Sequence, residues 1–255
     1  MARQKLGQHF LSSPKILERI ASAACGEGIS TVVEVGPGRG ALTEYLLTRA
    51  DRVIAIEIDR EMIAALQVRF GDSPKLTLVR ADAAEAAFES WQPDVICGNL
   101  PYYAATPIIH RLVRASIRGV VLIQKEVAER LTAKPGSREY GYLTCEVALF
   151  ADARVLFQVK PGAFRPPPQV DSTLISLEPH RRIDELQVPE KDFLAFLSAS
   201  FRQKRKTLRN NLLGRYPAQL LADLPEAQLR AEQCSLESFA SIYRRLTGGM
   251  SSVSN

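Results

Sequence analysis

Val32-Val33-Glu34-Val35-Gly36-Pro37-Gly38-Arg39-Gly40-Ala41-Leu42-Thr43 reads as a buried strand, a glycine turn and the start of a helix. Glycines at such a turn accept positive φ and let a ligand approach the backbone closely. A dinucleotide fingerprint has the spacing G-x-G-x-x-G, which seats a pyrophosphate on a helix N-terminus. Here the spacing is G-x-G-x-G and Glu34 precedes it. An acid at that point suits a cationic ligand better than a pyrophosphate.

Outward from this loop, short β-branched runs alternate with helical patterns. Residues 31–35, 53–57, 76–81, 95–97 and 120–124 each have the texture of a buried parallel strand. Between them, Asp59 is placed to cap a helix whose Met62, Ile63 and Leu66 share one face. This alternation predicts a Rossmann-like, doubly wound α/β fold. Two further strands, near 148–159 and 172–177, flank a Pro-rich turn and are expected to close a mostly parallel seven-stranded sheet with an antiparallel edge. After Pro179 the texture turns helical, with helices predicted at 192–201, 208–213, 226–233 and 236–246. The expected division is a catalytic α/β domain over 1–183 and a small all-α domain over 184–255, ending in a disordered tail from Gly248 onward.

The bulk composition narrows the class. With 46% hydrophobic and 24% charged residues, the chain reads as an ordinary globular protein. Cys25, Cys97, Cys145 and Cys234 form no C-x-x-C pair, which speaks against a zinc site or a disulfide framework and for a reducing cytoplasm. No apolar run approaches membrane-spanning length, and the basic N-terminus lacks the apolar stretch of a signal peptide. Net charge is +5 and unevenly spread: residues 1–180 carry 21 Lys and Arg against 20 acids, whereas residues 181–255 carry 12 against 8. Arg202, Lys204, Arg205, Lys206 and Arg209 concentrate that excess, either as a solvated helix face or as a phosphate-contacting surface.

Acids recur at the strand ends. Glu57 ends the second strand, 19 residues beyond Gly38, where a carboxylate can accept from ribose hydroxyls. Asp82 ends the third, where it can accept from an adenine amino group. With Gly36 and Gly38 in the loop, this pattern points to S-adenosylmethionine, which carries an ammonium and a sulfonium. Asn99-Leu100-Pro101-Tyr102 follows the fourth strand, at the edge where open α/β sheets hold their active sites. An exocyclic amine of adenine is a poor nucleophile because its lone pair is delocalised. The Asn99 oxygen and the Leu100 carbonyl form a pair able to accept both N–H groups and turn that lone pair toward a methyl donor. Pro101 fixes the loop without adding a donor, and Tyr102 can stack on an unstacked purine.

These segments, together with Gly7-Gln8-His9-Phe10-Leu11, Gln124-Lys125-Glu126-Val127-Ala128-Glu129-Arg130, Tyr140-Gly141, Phe164-Arg165-Pro166-Pro167-Pro168-Gln169-Val170-Asp171-Ser172 and Arg205-Lys206-Thr207-Leu208-Arg209-Asn210-Asn211-Leu212, resemble the KsgA/RsmA family over nearly the whole chain. The resemblance implies N6,N6-dimethylation of two adjacent adenosines near the 3′ end of 16S ribosomal RNA within the small (30S) subunit, with a role in subunit maturation. It implies a monomer in the cytoplasm with no metal and no membrane partner. It implies that His9, Leu11, Gly36, Glu57, Asp82 and Asn99 line the cofactor pocket, and that Phe164 forms a second aromatic wall opposite Tyr102. Where this chain has His9 the family more often has Asn, a change that backbone contacts survive. Two other readings compete. Erm-type enzymes act on a large-subunit adenine, but they tend to have Asn-Ile-Pro-Tyr and lack the patterns at 124–130 and 205–212. The other is a ribosome-assembly factor that kept the fold and lost the catalysis.

Overall fold

The computed structural model describes residues 9–251, with side chains through residue 248. Gly7 and Gln8 of the N-terminal motif and residues 252–255 of the tail lie outside the described residues. In chain order the elements are β1 (Phe10–Leu11), α1 (Pro14–Ala24), β2 (Thr31–Val35), α2 (Ala41–Leu47), β3 (Arg52–Glu57), α3 (Arg60–Phe70), β4 (Leu76–Arg80), β5 (Val95–Asn99), α4 (Ala105–Arg114), β6 (Arg118–Gln124) and α5 (Lys125–Leu131). There follow α6 (Tyr142–Phe150), β7 (Ala151–Val159), β8 (Phe164–Arg165), β9 (Ser172–Pro179), α7 (Arg182–Glu185), α8 (Glu190–Ser200), α9 (Leu208–Leu212), α10 (Ala218–Ala222) and α11 (Leu236–Ser251).

The chain divides into two compact units, 1–128 with 151–179, and 129–150 with 180–255. The sequence reading drew one cut after residue 183, whereas α6 groups with the later helices. The first unit holds a seven-stranded sheet of order β4-β3-β2-β5-β6-β9-β7. β4 through β6 run parallel, and β9 is antiparallel to both β6 and β7. The β-branched runs form its centre because both faces are covered: Val32, Ile54, Ile96 and Val121 are each 0% exposed. Asp59 caps α3 as its position suggests, accepting from the Glu61 N–H at 2.8 Å. One pairing has no signal in periodicity: β1 joins β8 in a separate two-stranded ladder, Phe10 opposite Arg165 and Leu11 opposite Phe164.

In the second unit, aromatic rings form the core. Phe196 sits among Phe193, Tyr216, Phe239 and Tyr243, with ring centroids 5.6–6.2 Å away and mostly edge-on. Two expectations fail here. Residues 226–233 are not a helix but turns ending in a single 3-10 turn over Ala231–Gln233. The Ala227 and Leu229 carbonyls instead accept from the Arg209 and Leu208 N–H groups at 3.1 and 2.7 Å, so they cap α9. Over residues 248–251 the tail also departs from expectation, because α11 continues through Ser251.

Between α8 and α9 the chain forms a non-helical loop, and Asn211 holds it from inside. The two hydrogens of its Nδ2 are shared among the carbonyls of Ser200, Gln203 and Lys206 at 2.8, 3.1 and 3.4 Å, while its Oδ1 accepts from the Gln203 N–H at 3.0 Å. Asn211→Ala removes all four bonds and leaves buried polar groups without partners. It is expected to lower stability by about 2–4 kcal/mol, read as a reduced denaturant midpoint; a loss within ~0.5 kcal/mol shows that the loop does not depend on it.

The central sheet contains one buried acid with a neutralising environment. Glu34 is 1% exposed, and its Oε2 accepts from the Thr43 hydroxyl at 2.6 Å. Burial pushes its carboxyl up to about 7; the Thr43 bond opposes the rise and the Glu57 carboxylate adds to it. Between about pH 4.5 and 7 the folded protein holds a proton that the unfolded chain has released, so stability falls as pH rises through that window. Glu34→Gln keeps a hydrogen-bonding amide and removes the titration. Relative to wild type, its stability is expected to improve by roughly 3 kcal/mol on going from below to above that window, measured by denaturant unfolding. A constant difference between the two proteins across these pH values overturns the assignment.

Candidate active site

The direction of chain progression across the sheet reverses between β2 and β5, so the crevice at their C-terminal ends is a topological switch point. The glycine loop leaves β2 there and Asn99-Leu100-Pro101-Tyr102 leaves β5. Gly36, Gly38 and Gly40 have φ of 68°, 55° and 79°. At Gly38 the need for glycine is double, since a Cβ there would also lie 3.0 Å from the Phe10 ring. The turn closes through the Gly40 N–H donating to the Pro37 carbonyl at 2.8 Å.

Glu57, at the end of β3, binds the loop from below. Its Oε2 accepts from the Gly38 N–H at 3.2 Å and its Oε1 from the Asp59 N–H at 3.0 Å. The loop N–H that a pyrophosphate would use is therefore already satisfied by a carboxylate of the protein. Asp82, just past β4, is exposed and its Oδ1 accepts from the Ala84 N–H at 2.9 Å. Glu34, Glu57 and Asp82 line one cleft that, among the described residues, has a single guanidinium, that of Arg39, which sits over the Phe10 ring at 4.8 Å. This donor set fits a ligand with positive charge and nucleoside hydroxyls. Space fits too: a Cβ on Gly36 would point between loop and tetrapeptide, 3.7 Å from the Asn99 carbonyl oxygen and 3.8 Å from Pro101 Cδ.

The geometry of the tetrapeptide is set by its neighbours. Asn99 Nδ2 donates to the His9 carbonyl at 3.1 Å. Because that partner only accepts, the amide must present Nδ2 to it, which leaves Oδ1 as an acceptor with no partner among the described residues. The Leu100 N–H donates to the Leu122 carbonyl at 3.0 Å and its side chain is 1% exposed, so this residue is fixed on β6. Tyr102 is half-buried, with its phenol oxygen 3.0 Å from Ser172 Oγ. His9 stands beside it, ring centroids 5.6 Å apart and tilted by 34°, and its Nδ1 lies 2.9 Å from the Pro166 carbonyl.

His9, Leu11, Gly36, Gly38, Glu57, Asp82, Asn99, Leu100, Pro101 and Tyr102 thus lie around one cleft. Phe164 does not. It is 0% exposed and packs in the core with Leu11, Leu17 and Leu174, so in this conformation it offers no face to a ligand. The ring beside Tyr102 is His9 instead. Among the lining residues that the sequence analysis does not name, Ile58 and Tyr103 are the most open, 49% and 61% exposed. Burial, with the nearby carboxylates of Glu57 and Asp82, pushes the Tyr103 phenol above its ordinary value. Position next to Tyr102 was the one available signal. In the second unit, Arg202, Lys204, Arg205 and Lys206 are exposed on the α8–α9 loop rather than on a helix, and Arg209 is half-buried on α9. Lys204 is partly committed, donating to the Arg138 carbonyl and pairing with Glu232 at 3.9 Å. Among the described residues, no group of three or more His, Cys, Asp or Glu is arranged to hold a metal, and no helix is long and apolar enough to cross a membrane.

The chain shares its sequence and fold with proteins of known family. The family described as "Ribosomal RNA adenine dimethylase" matches residues 1–248. A relative from Acidobacterium capsulatum, named ribosomal RNA small subunit methyltransferase A, is 42% identical, the match covering 96% of this chain and 91% of the relative. Its namesake from Koribacter versatilis is 38% identical, with 97% and 95% covered. Among solved structures, a dimethyladenosine transferase from Plasmodium falciparum superposes with a TM-score of 0.80 at 28% identity, covering 94% of this chain and 98% of that one. The 23S rRNA methyltransferase ErmE shares the fold, with a TM-score of 0.69 at 23% identity over 93% and 99% of the two chains. These matches bear out the resemblance read from the motifs: the chain belongs to the ribosomal RNA adenine dimethylase family.

Proposed function

We propose that this chain transfers methyl groups from S-adenosylmethionine to N6 of two adjacent adenosines near the 3′ end of 16S ribosomal RNA in the small subunit, contributing to subunit maturation as a cytoplasmic monomer. The observation that carries the reading is the orientation of Asn99. Its Nδ2 is held by the His9 carbonyl, so Oδ1 is free to accept an N6–H in the cleft that also contains Glu57 and Asp82. The Leu100 carbonyl is the second acceptor of the pair. Holding both N–H groups draws the amine out of conjugation and directs its lone pair. Tyr102 stacks on the extruded base, and Pro101 adds no donor to compete. Glu57 binds the ribose hydroxyls of the cofactor, Asp82 its adenine amino group, and Gly36 leaves room for its methionine end, with Gly38 lining the same loop. When bound, S-adenosylmethionine supplies an electrophilic methyl group. No base of shifted pKa is required, since nitrogen becomes acidic once methylated and its proton passes to water.

The test uses undermethylated small subunits, purified protein and mass-spectrometric mapping of methyl groups on the ribosomal RNA. Wild type is expected to place them on two adjacent adenosines near the 3′ end. Asn99→Ala and Tyr102→Ala are expected to lower transfer at least ~100-fold, in line with loss of positioning and charge stabilisation. Binding of the particle without any transfer by wild type makes the protein a non-catalytic assembly factor, and methyl groups on the large subunit favour the Erm-type reading.

The exposed α8–α9 loop is the proposed phosphate-contacting surface, through Arg202, Arg205, Lys206 and Arg209 with Lys204 contributing less. Arg205→Glu combined with Lys206→Glu is expected to weaken binding to the ribosomal RNA and to flatten the slope of log affinity against log salt by about 1 to 2. Affinity for free S-adenosylmethionine should stay the same. An unaltered salt slope shows that these side chains do not contact phosphate.

A further inference from the structure

We propose that Ser172 is a positioning residue for methyl transfer, holding the Tyr102 ring in its working orientation through the hydrogen bond between their hydroxyls. This rests on the reading of Tyr102 as the stacking wall for the base. The Ser172 Oγ lies 3.0 Å from the Tyr102 phenol oxygen. Ser172 is 0% exposed, and it begins β9 with its backbone paired on both sides, to Gln124 of β6 and to Val159 of β7. The anchor is thus a buried side chain on a strand interior to the sheet, while Tyr102 stands on the loop after β5. A tyrosine on a loop has two side-chain torsions to fix before its ring can serve as a platform. The Ser172 bond fixes the far end of the ring, and the His9 ring limits its swing from the side. Fixing a contact residue from a rigid second element is how a site keeps its geometry without added strain. A buried hydroxyl also needs a partner, and the phenol is the one Ser172 has in its described hydrogen bonds.

The role distinguishes itself from ordinary core packing by coupling. Ser172→Ala and Tyr102→Phe remove the same bond from opposite ends. Single-turnover transfer to undermethylated small subunits is expected to slow about 10- to 100-fold in each. The double variant should be no slower than the slower single, because the interaction is lost only once. The equilibrium affinity for S-adenosylmethionine should stay within about twofold in all three, and Ser172→Thr, which keeps the hydroxyl, should recover most of the rate. Should Ser172→Ala not fold, Tyr102→Phe against Ser172→Thr still reads the bond: a wild-type rate in Tyr102→Phe overturns the proposal. So do rate losses that multiply in the double variant. If Tyr102→Ala abolishes transfer while Ser172→Ala and Tyr102→Phe are unimpaired, the anchoring role alone is wrong. If Tyr102→Ala itself transfers normally, the stacking-wall reading fails and this proposal with it.

Discussion

The close approach of β5 to β2 at Gly98 is the constraint on which the site depends. A Cβ at Gly98 would run into the Val35 main-chain carbonyl, so the two strands can come this near only because residue 98 lacks a side chain. Immediately beyond that point they separate. The Gly36 N–H donates to Ile56 of β3 at 2.9 Å, and the Leu100 N–H donates to Leu122 of β6 at 3.0 Å. Each chain end is thereby tied away from the other by the strand on its far side. The crevice between them is a consequence of ordinary ladder hydrogen bonding applied at the one place where the direction of progression reverses. Everything chemical sits within a few residues of this opening.

Electrostatics then selects what the crevice accepts. Glu57 is 6% exposed and accepts from two backbone N–H groups, which compensate its burial. Glu34, one strand away, receives a single hydroxyl and is pushed up to about 7. Two adjacent buried acids therefore do not impose two full negative charges on the loop near neutrality. Burial, only partly offset by the Thr43 bond, makes Glu34 a brace beneath the glycines that carries less than a full charge near neutrality.

Much of this was legible from sequence for a physical reason. Four of the five parallel strands, β2, β3, β5 and β6, are largely buried, so their composition is mostly apolar and stands out in any window. Glu57, Asp82 and Asn99 are legible because strand ends are where those runs stop. Contacts made across long chain separations by very short segments left no such trace. The β1–β8 ladder has two residues on each side, too few for periodicity, and it carries Phe164 into the core beside Leu11. Asn211 reads as one polar residue in a helical window, yet four hydrogen bonds across 11 positions make it the centre of the α8–α9 loop. Residues 226–233 have helical composition but spend their carbonyls on the end of α9, a tertiary demand that overrides propensity.

The N-terminal segment shows how a non-catalytic stretch can govern the chemistry. From His9 to Ser12 it runs along 163–166: Ser12 N–H donates to the Ala163 carbonyl at 2.9 Å, Leu11 and Phe10 pair with β8, and His9 Nδ1 meets the Pro166 carbonyl. One face of this strip supplies the carbonyl that orients Asn99, and Phe10 abuts Gly38 on the other side of the cleft. The bond to Asn99 comes from the main chain, so it imposes no side chain at position 9. The side chain acts elsewhere, on Pro166 and beside Tyr102. Histidine at position 9 thus preserves the polarity of the Asn99 amide through its main chain while placing an aromatic neighbour beside the Tyr102 ring. The strip couples the Pro-rich segment, the acceptor pair and the glycine loop through backbone geometry, which is the part of a site that side-chain substitution leaves in place.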